Sequence, residues 1–391
     1  MKKYAIIGAG IIGSSIAREI RKRNLGDVVV LEKEPELGYH ASGRNSGVIH
    51  SGINQIPGTY KAKMCLKGSK FLRDYCKKND VPMIECGTLV VGRNFEEVSR
   101  IQELMKMGRE AGVSDLRIID KKELGEREPL AKGLAALLSP TGSIVDSKKL
   151  LNTIVNESKS LGVSYQFGEE VKEIFGRDII TENRTFDADF IINCAGLYAD
   201  KIAHMMDVAK SYRIIPFKGN YVGVSFPINA MIYHPPDLRF PFLGVHLTRR
   251  INGNVIAGPT ATLSLGRENY NGKIKLKDTI DMVSSVNFRR MVADKEFLQN
   301  AISNAKFSLS KKAFINEINS SVNLDVKEED LSDAFCGIRA QLVDMNGKME
   351  KDIFIRETEN SLHILNAVSP GLTCSLAFAE YIVNDRLIPK S

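Results

Sequence analysis

The sequence predicts an α/β protein, α+β in its overall balance, in which two domains are interleaved along the chain. Three observations carry that expectation. The opening stretch reads strand, glycine turn, helix, strand, acid; a strand feeding a glycine turn returns near residue 190; and a β-rich stretch followed by a long helical one separates these nucleotide-type segments from the C-terminus.

The opening is the most specific. Tyr4-Ala5-Ile6-Ile7 is a short apolar run, Gly8-Ala9-Gly10-Ile11-Ile12-Gly13 follows at once, and after a helical stretch over 14–23 the run Val28-Val29-Val30-Leu31 delivers Glu32. Gly8 permits the tight turn, Gly10 lets backbone approach a pyrophosphate, and Gly13 lets the helix sit close to the sheet. The anion then meets amide groups at the positive end of the helix, while Glu32 can accept both ribose hydroxyls of an adenosine. This is a Rossmann-like dinucleotide site, and the pattern alone leaves NAD and FAD open.

Next comes a helix over 61–78 that turns Ala62, Cys65, Leu66, Phe71, Leu72 and Tyr75 to one face, then a strand at 87–92 and a helix over 95–112. The stretch 119–138 reads as a charged helix, a break at Pro129 and a loop, and 147–161 as another helix. Short strands follow at 163–167, 171–175 and 190–193, the last running into Cys194-Ala195-Gly196 and a helix from Leu197. Ala195 and Gly196 are therefore a second expected contact with the cofactor. The stretch 213–259 is β-rich, with runs at 221–226, 242–247 and 254–257; 273–322 is a basic helical insert; Ser369-Pro370-Gly371-Leu372-Thr373 opens a last helix. Neither an internal repeat nor a low-complexity linker interrupts this order. It argues for a nucleotide domain assembled from 1–86, 142–212 and 336–391, with a substrate domain from 87–141 and 213–335 threaded through it.

At 391 residues the chain suits two domains, and 54 Lys and Arg against 47 Asp and Glu give +7, which mildly favours anionic substrates or an anionic membrane surface. Basic clusters with interleaved aromatics are absent, which argues against nucleic acid. Met1-Lys2-Lys3 before an apolar run imitates a secretion signal, but that run is the glycine turn itself and no small-residue cleavage site follows. Six cysteines without C-x-x-C pairing or histidine ligand spacing read as reduced core residues, with no metal site, and place the protein in the cytoplasm. No segment is built to cross a bilayer. Peripheral contact on the inner face of the cell membrane stays open, since Arg289, Arg290, Lys295, Lys306, Lys311 and Lys312 could dock on acidic lipid near a quinone pool; a solvated helix face is the plainer reading.

After Glu32 comes His40-Ala41-Ser42-Gly43-Arg44-Asn45-Ser46-Gly47-Val48-Ile49-His50-Ser51-Gly52-Ile53. This resembles the second signature of the D-amino-acid-oxidase-like flavoproteins, and specifically of the L-2-hydroxyglutarate oxidase/dehydrogenase family. Lys61-Ala62-Lys63-Met64-Cys65, the stretch from Arg239 to His246, Gly258-Pro259, Gly337-Ile338-Arg339-Ala340-Gln341, Leu365-Asn366-Ala367 and Ser369-Pro370 are similar to it too, so the resemblance runs from end to end. It implies FAD, bound non-covalently, and oxidation of L-2-hydroxyglutarate to 2-oxoglutarate. It also implies cofactor contacts from Lys33, Ser42, Arg44, Asn45, Ser46 and Gly47, backbone contacts from Val171 to adenine, and contacts from Pro370, Gly371, Leu372 and Thr373. The chain departs from the family at Asn54-Gln55, Asn220, Thr260 and Gly371-Leu372, which bears on substrate identity more than on the cofactor.

Oxidising a 2-hydroxy acid moves a hydride from the α-carbon to flavin N5 while the hydroxyl loses its proton, so the protein must supply position, charge and a base. A neutral imidazole suits the base, with His50 the first choice and His246 the second; His40 reads as support for the cofactor loop. Arg339 stands at the Gly-x-Arg position where the wider superfamily holds a substrate carboxylate, and its planar fork suits one. A second carboxylate needs a second cation, for which Arg249, Lys218 and Arg239 are candidates. The amides opening the last helix could stabilise negative charge at flavin N1/O2. The expected partners are an anionic 2-hydroxy acid and oxygen or a quinone as electron acceptor. Amino-acid oxidase, glycerol-3-phosphate dehydrogenase and a flavoprotein with a structural cofactor are the competing readings.

Overall fold

The computed structural model describes residues 1–236, 244–272, 274–367 and 369–388. The chain opens with the strand Lys2–Ile7, the helix Ile11–Lys22 and the strand Gly26–Glu32. Period-two alternation sends Tyr4 and Ile6 to one face of the sheet and Ala5 and Ile7 to the other. The six-stranded sheet runs Phe354–Glu357, Ser361–Asn366, Phe190–Asn193, Lys2–Ile7, Gly26–Glu32, Ser164–Phe167, and all pairs are parallel except the outermost Phe354–Glu357. One face packs on Ile16 and Ile20 of the first helix and on Phe378 and Ile382 of the helix Gly371–Ile382. The other takes Ile202 of the helix Ala199–Met205 with Val171 and Ile179 of a small three-stranded sheet. Burial on both faces is why these parallel strands read as near-continuous apolar runs. The first helix ends where Arg21 and Lys22 meet the negative end of its dipole and Asn24 turns left-handed at φ 53°.

The second sheet is nine-stranded and antiparallel except where Met231–Tyr233 pairs with Thr88–Gly92. Its backbone is the pairing of Arg213–Val224 with Leu331–Val343 along their whole length. On one face Leu89, Val91, Leu138 and Leu247 pack on Phe314 and Ile318 of the helix Lys311–Ser321; on the other Val90, Leu137 and Met231 pack on Ile101 and Leu104 of the helix Phe95–Glu110. The helical insert is four helices, Leu276–Ser284, Val286–Ala293, Lys295–Leu309 and Lys311–Ser321, the last three capped by Ser285, Asp294 and Ser310.

One expectation needs correcting. The stretch 119–138 is not a helix and loop: Arg117–Asp120 and Ala135–Ser139 are paired strands, and the helix between them is only Lys121–Arg127. Charged neighbours masked the short apolar runs, and Asp120, whose carboxylate accepts from the Glu123 N–H at 2.8 Å, starts the helix late. The run expected at 221–226 is the end of a twelve-residue strand. Phe240 and Phe242 lie outside the described residues, so the run expected at 242–247 is seen as His246–Arg249 alone. The two-domain division remains a proposal, and Leu331–Val343 passes unbroken through its junction at 335/336.

A buried ion pair ties the two sheets together. Arg267 and Asp200, 5% and 1% exposed, meet through two parallel bonds of 2.6 and 2.8 Å, and Asp200 also accepts the Ile214 N–H at 2.9 Å. Burial alone would push the Asp200 carboxyl up, but Arg267 reverses this and holds it below its ordinary value. Arg267→Met is expected to cost about 3–5 kcal/mol, since it strands a buried charge. Urea denaturation measures this, and the double variant with Asp200→Asn should recover part of the loss.

Candidate functional site

Segments from both sheets enclose one cavity of about 610 Å³. Its walls come from the first glycine turn, Leu31 to Lys33, the segment after it as far as His50, Glu169 to Val171, the turn at Cys194, Gly219 and Tyr221, Gly337 to Ala340, and the start of the last helix. Of the residues expected from sequence, Gly8, Gly10, Glu32, Lys33, Ser42, Arg44, Asn45, Ser46, His50, Val171, Ala195, Gly196, Arg339, Pro370, Gly371, Leu372 and Thr373 stand on that wall. Gly13, Gly47, Lys218, His246 and Arg249 do not.

The first glycine turn forms part of that wall. Gly8 adopts φ 108°, where a side chain would be strained and its Cβ would press on the Cys194 carbonyl; Gly13 sits so close to the Gly8 carbonyl that no Cβ fits. The Ser42 hydroxyl accepts the Ile11 N–H at 2.9 Å, fixing the later loop against the start of the helix. Glu32 accepts from the Ala9 N–H at 2.8 Å and the Glu34 N–H at 3.1 Å, which orients its carboxylate on the wall. Buried Asn193 shapes the second turn, accepting from the Ala195 N–H at 3.1 Å and donating to the Ala199 carbonyl at 2.7 Å. Gly47 acts behind the wall, its carbonyl accepting the Val145 N–H at 2.7 Å.

His50 and Arg339 stand on the wall of the same cavity. The His50 N–H donates to Thr373 Oγ1 at 3.0 Å, which pins the segment after Val48–Ile49 to the first turn of the last helix. Burial pushes the His50 imidazole down to about 4, so it is neutral near pH 7 and can accept a proton. His246 donates from Nδ1 to the Gly244 carbonyl at 2.9 Å when that nitrogen carries the proton, which leaves Nε2 as an acceptor. Its ring stacks on Tyr233 at 4.1 Å, and its pKa is held at about 3 by burial, with charge on His50 and Arg339 adding to the effect. So His246 stands close behind the wall that His50 and Arg339 form. Arg339 projects from Leu331–Val343, opposite Phe217 in register.

Of the candidates for a second cation, neither Lys218 nor Arg249 stands on the cavity wall. Lys218 donates to the Asn269 and Tyr270 carbonyls at 2.9 and 3.3 Å, Arg249 lies off the wall, and Arg239 is outside the described residues. Arg250, also off the wall, lies 5.1 Å from the centre of the Phe335 ring, which stacks on the wall residue Tyr221, and the charges of Arg339 and Arg250 both work against the burial that pushes the Tyr221 hydroxyl up. Two departures from the family pattern prove to be partners: Asn220 N–H donates to Thr260 Oγ1 and Thr260 N–H to the Asn220 carbonyl, both at 3.1 Å.

Sequence reasoning also missed a clasp along the cavity rim. Glu268 accepts from Lys275 at 2.6 Å, from Tyr198 at 2.8 Å and from Lys33, which also pairs with Glu34. His40 bonds Glu34 at 2.8 Å and Tyr270 at 2.9 Å, and Arg44 lies 4.3 Å over the Tyr270 ring. The carboxylates of Glu34 and Glu268 and the His40 ring converge as metal ligands could, yet the ammonium groups of Lys33 and Lys275 already neutralise the two carboxylates. Against a burial cost that raises it, these donors hold the Glu268 carboxyl at about 2.

Acid is expected to loosen the protein in two stages. His50 and His246 protonate at about 4 and 3 when folded against an ordinary 6.5, so unfolding takes up protons and stability falls as pH drops below 6.5. Glu268 adds a second loss as pH falls from 4.5 towards 2. The urea midpoint measured across this range should decline throughout; a midpoint unchanged from about pH 7 to 4 would contradict these environments.

The chain matches the model of a family described as FAD dependent oxidoreductase over residues 3–384. It is 36% identical to an L-2-hydroxyglutarate dehydrogenase of Indibacter alkaliphilus, with 95% of each chain covered. It is 32% identical to the mitochondrial L-2-hydroxyglutarate dehydrogenase of Homo sapiens, covering 97% of this chain and 87% of that one. Its fold is similar to that of an L-alpha-glycerophosphate oxidase from Mycoplasma pneumoniae, solved with FAD bound, with a TM-score of 0.78 and 22% identity over 100% of this chain and 96% of that one.

Proposed function

Given that this chain belongs to the FAD-dependent oxidoreductase family, we propose that it oxidises L-2-hydroxyglutarate to 2-oxoglutarate. The observation that carries the reading is the shared wall on which His50 and Arg339 stand together with the residues suited to FAD. Those residues fit the cofactor on structural grounds: two glycines leave no side chain over the first helix, Glu32 is oriented on the wall beside Val171, and the last helix opens at Pro370 with no side-chain cap on its first turn. FAD, when bound, supplies the acceptor for the hydride of the α-carbon. Lys33, Ser42, Arg44, Asn45 and Ser46 would hold it along the loop, Ala195 and Gly196 at the second turn, and Gly371, Leu372 and Thr373 at the last helix.

The chain's own groups do the rest. Arg339 pairs with the carboxylate next to the reacting carbon, and its planar fork fixes the orientation in which the single hydrogen of the α-carbon faces the flavin site. His50, neutral in its buried setting, takes the hydroxyl proton as the carbonyl forms. His246 is the second candidate for that proton. Arg250 is the candidate for the distal carboxylate, a role supported by its place beside Tyr221 and Phe335. Oxygen or a quinone takes the electrons in this proposal, and the enzyme works in the cytoplasm. Among the described residues no helix is long and apolar enough to cross a membrane.

Turnover with a dye acceptor tests the reading: 2-oxoglutarate should accumulate from L-2-hydroxyglutarate and not from the D enantiomer. Equal rates with both enantiomers would sink it.

A further inference from the structure

The loop after Glu32 is held from outside the cavity that it lines. Residues 33–46 form neither helix nor strand, all of them are half-buried or exposed, and Lys33, His40, Ser42, Arg44 and Ser46 stand on the cavity wall. Other walls are parts of packed elements: Gly337 to Ala340 lie within Leu331–Val343, and Gly371 to Thr373 within Gly371–Ile382. A segment with so few buried contacts opens at lower free energy than the elements around it. This loop is therefore the wall that can move.

What restrains it is the segment 264–270, which is itself firmly seated. The Ser264 N–H donates to the Pro216 carbonyl at 2.9 Å, Arg267 is fixed by Asp200, and Lys218 binds the Asn269 and Tyr270 carbonyls. From that seat Glu268 reaches Lys33, and the Tyr270 hydroxyl meets His40 Nδ1 at 2.9 Å while its ring takes the Arg44 guanidinium at 4.3 Å. Glu268 and Tyr270 are not on the wall themselves, so they act on the cavity through the wall residues that they hold. We propose that the loop 33–46 is the door by which FAD enters and leaves this cavity, and that Glu268 and Tyr270 are its latch. The proposal rests on the cofactor and not on the substrate. Latch bonds join protein to protein, so they close the empty and the loaded cavity alike; removing one speeds opening in both and leaves the affinity for FAD little changed. A residue that merely touches the cofactor would alter release and leave uptake as it was.

Flavin exchange tests this. Release is followed as the full-length holoprotein trades its FAD for excess 8-chloro-FAD, and uptake as the full-length apoprotein quenches the fluorescence of added FAD. Tyr270→Phe removes the bond to His40 without changing charge, and Glu268→Gln keeps the shape of the side chain but not its charge. Each should quicken release at least about fivefold and uptake by a similar factor, with the dissociation constant shifted less than about twofold. Faster release with unaltered uptake, no change in either rate, or a response of Glu268→Gln alone, which would assign the effect to charge, would each overturn the latch while leaving the cofactor in place. A protein that takes up no FAD would overturn both.

Discussion

Asparagine in place of His50 is expected to slow flavin reduction by L-2-hydroxyglutarate by roughly 10²–10⁴-fold, the usual worth of a positioned general base, while the protein stays yellow. The cofactor should survive because the bond that anchors this segment runs from the His50 backbone N–H to Thr373 Oγ1, and the substitution leaves it in place. An alcohol holds its proton too tightly to release it unaided near neutral pH. An amine substrate brings its own electron pair and would barely notice the change, so a small effect of His50→Asn would point to amino-acid oxidation. His246→Asn should cost less, since that ring stands behind the wall and is partly occupied by its bond to Gly244. Single-turnover reduction followed by stopped flow gives both numbers.

Arg339→Met should lower kcat/KM by about 100-fold or more, on the order of 3 kcal/mol, because it removes the guanidinium from the substrate carboxylate that it pairs with in this proposal. Arg339→Lys should recover only part of this, since an ammonium lacks the fork that fixes the substrate's orientation. A contrast with Arg250 separates the two ends of the substrate. Arg250→Met should raise KM for the dicarboxylate far more than for a 2-hydroxy acid with one carboxylate, whereas Arg339→Met should impair both. Steady-state kinetics with the two substrate types checks the assignment.

Much of the nucleotide half could be read from sequence because its signals are local. Gly8, Gly10, Gly13 and Glu32 lie within one strand-helix-strand unit, and their roles follow from spacing. The strands Arg117–Asp120 and Ala135–Ser139 escaped because each is short, flanked by charge or loop, and stabilised only by partners elsewhere in the sheet. Likewise the clasp joins Lys33 to Glu268 across 235 positions, and the pair Arg267–Asp200 spans 67; no periodicity announces such bonds. Arg250 was not weighed beside its neighbour Arg249, because the rings of Tyr221 and Phe335 that stand near it come from other strands and carry no local signal. Gly8, Gly10, Pro370 and Gly371 stand on the wall, whereas the place of a second cation depends on side-chain reach, which the sequence does not show.

The central claim is that separate stretches of this chain converge on FAD and hold an acidic 2-hydroxy acid against it through Arg339 and His50. Anaerobic mixing of the yellow protein with L-2-hydroxyglutarate, amino acids and glycerol phosphate, with bleaching of the flavin followed in time, tests it most directly. L-2-hydroxyglutarate is expected to bleach the flavin fastest; faster bleaching by an amino acid or by glycerol phosphate, or a colourless protein that takes up no added FAD, would contradict it.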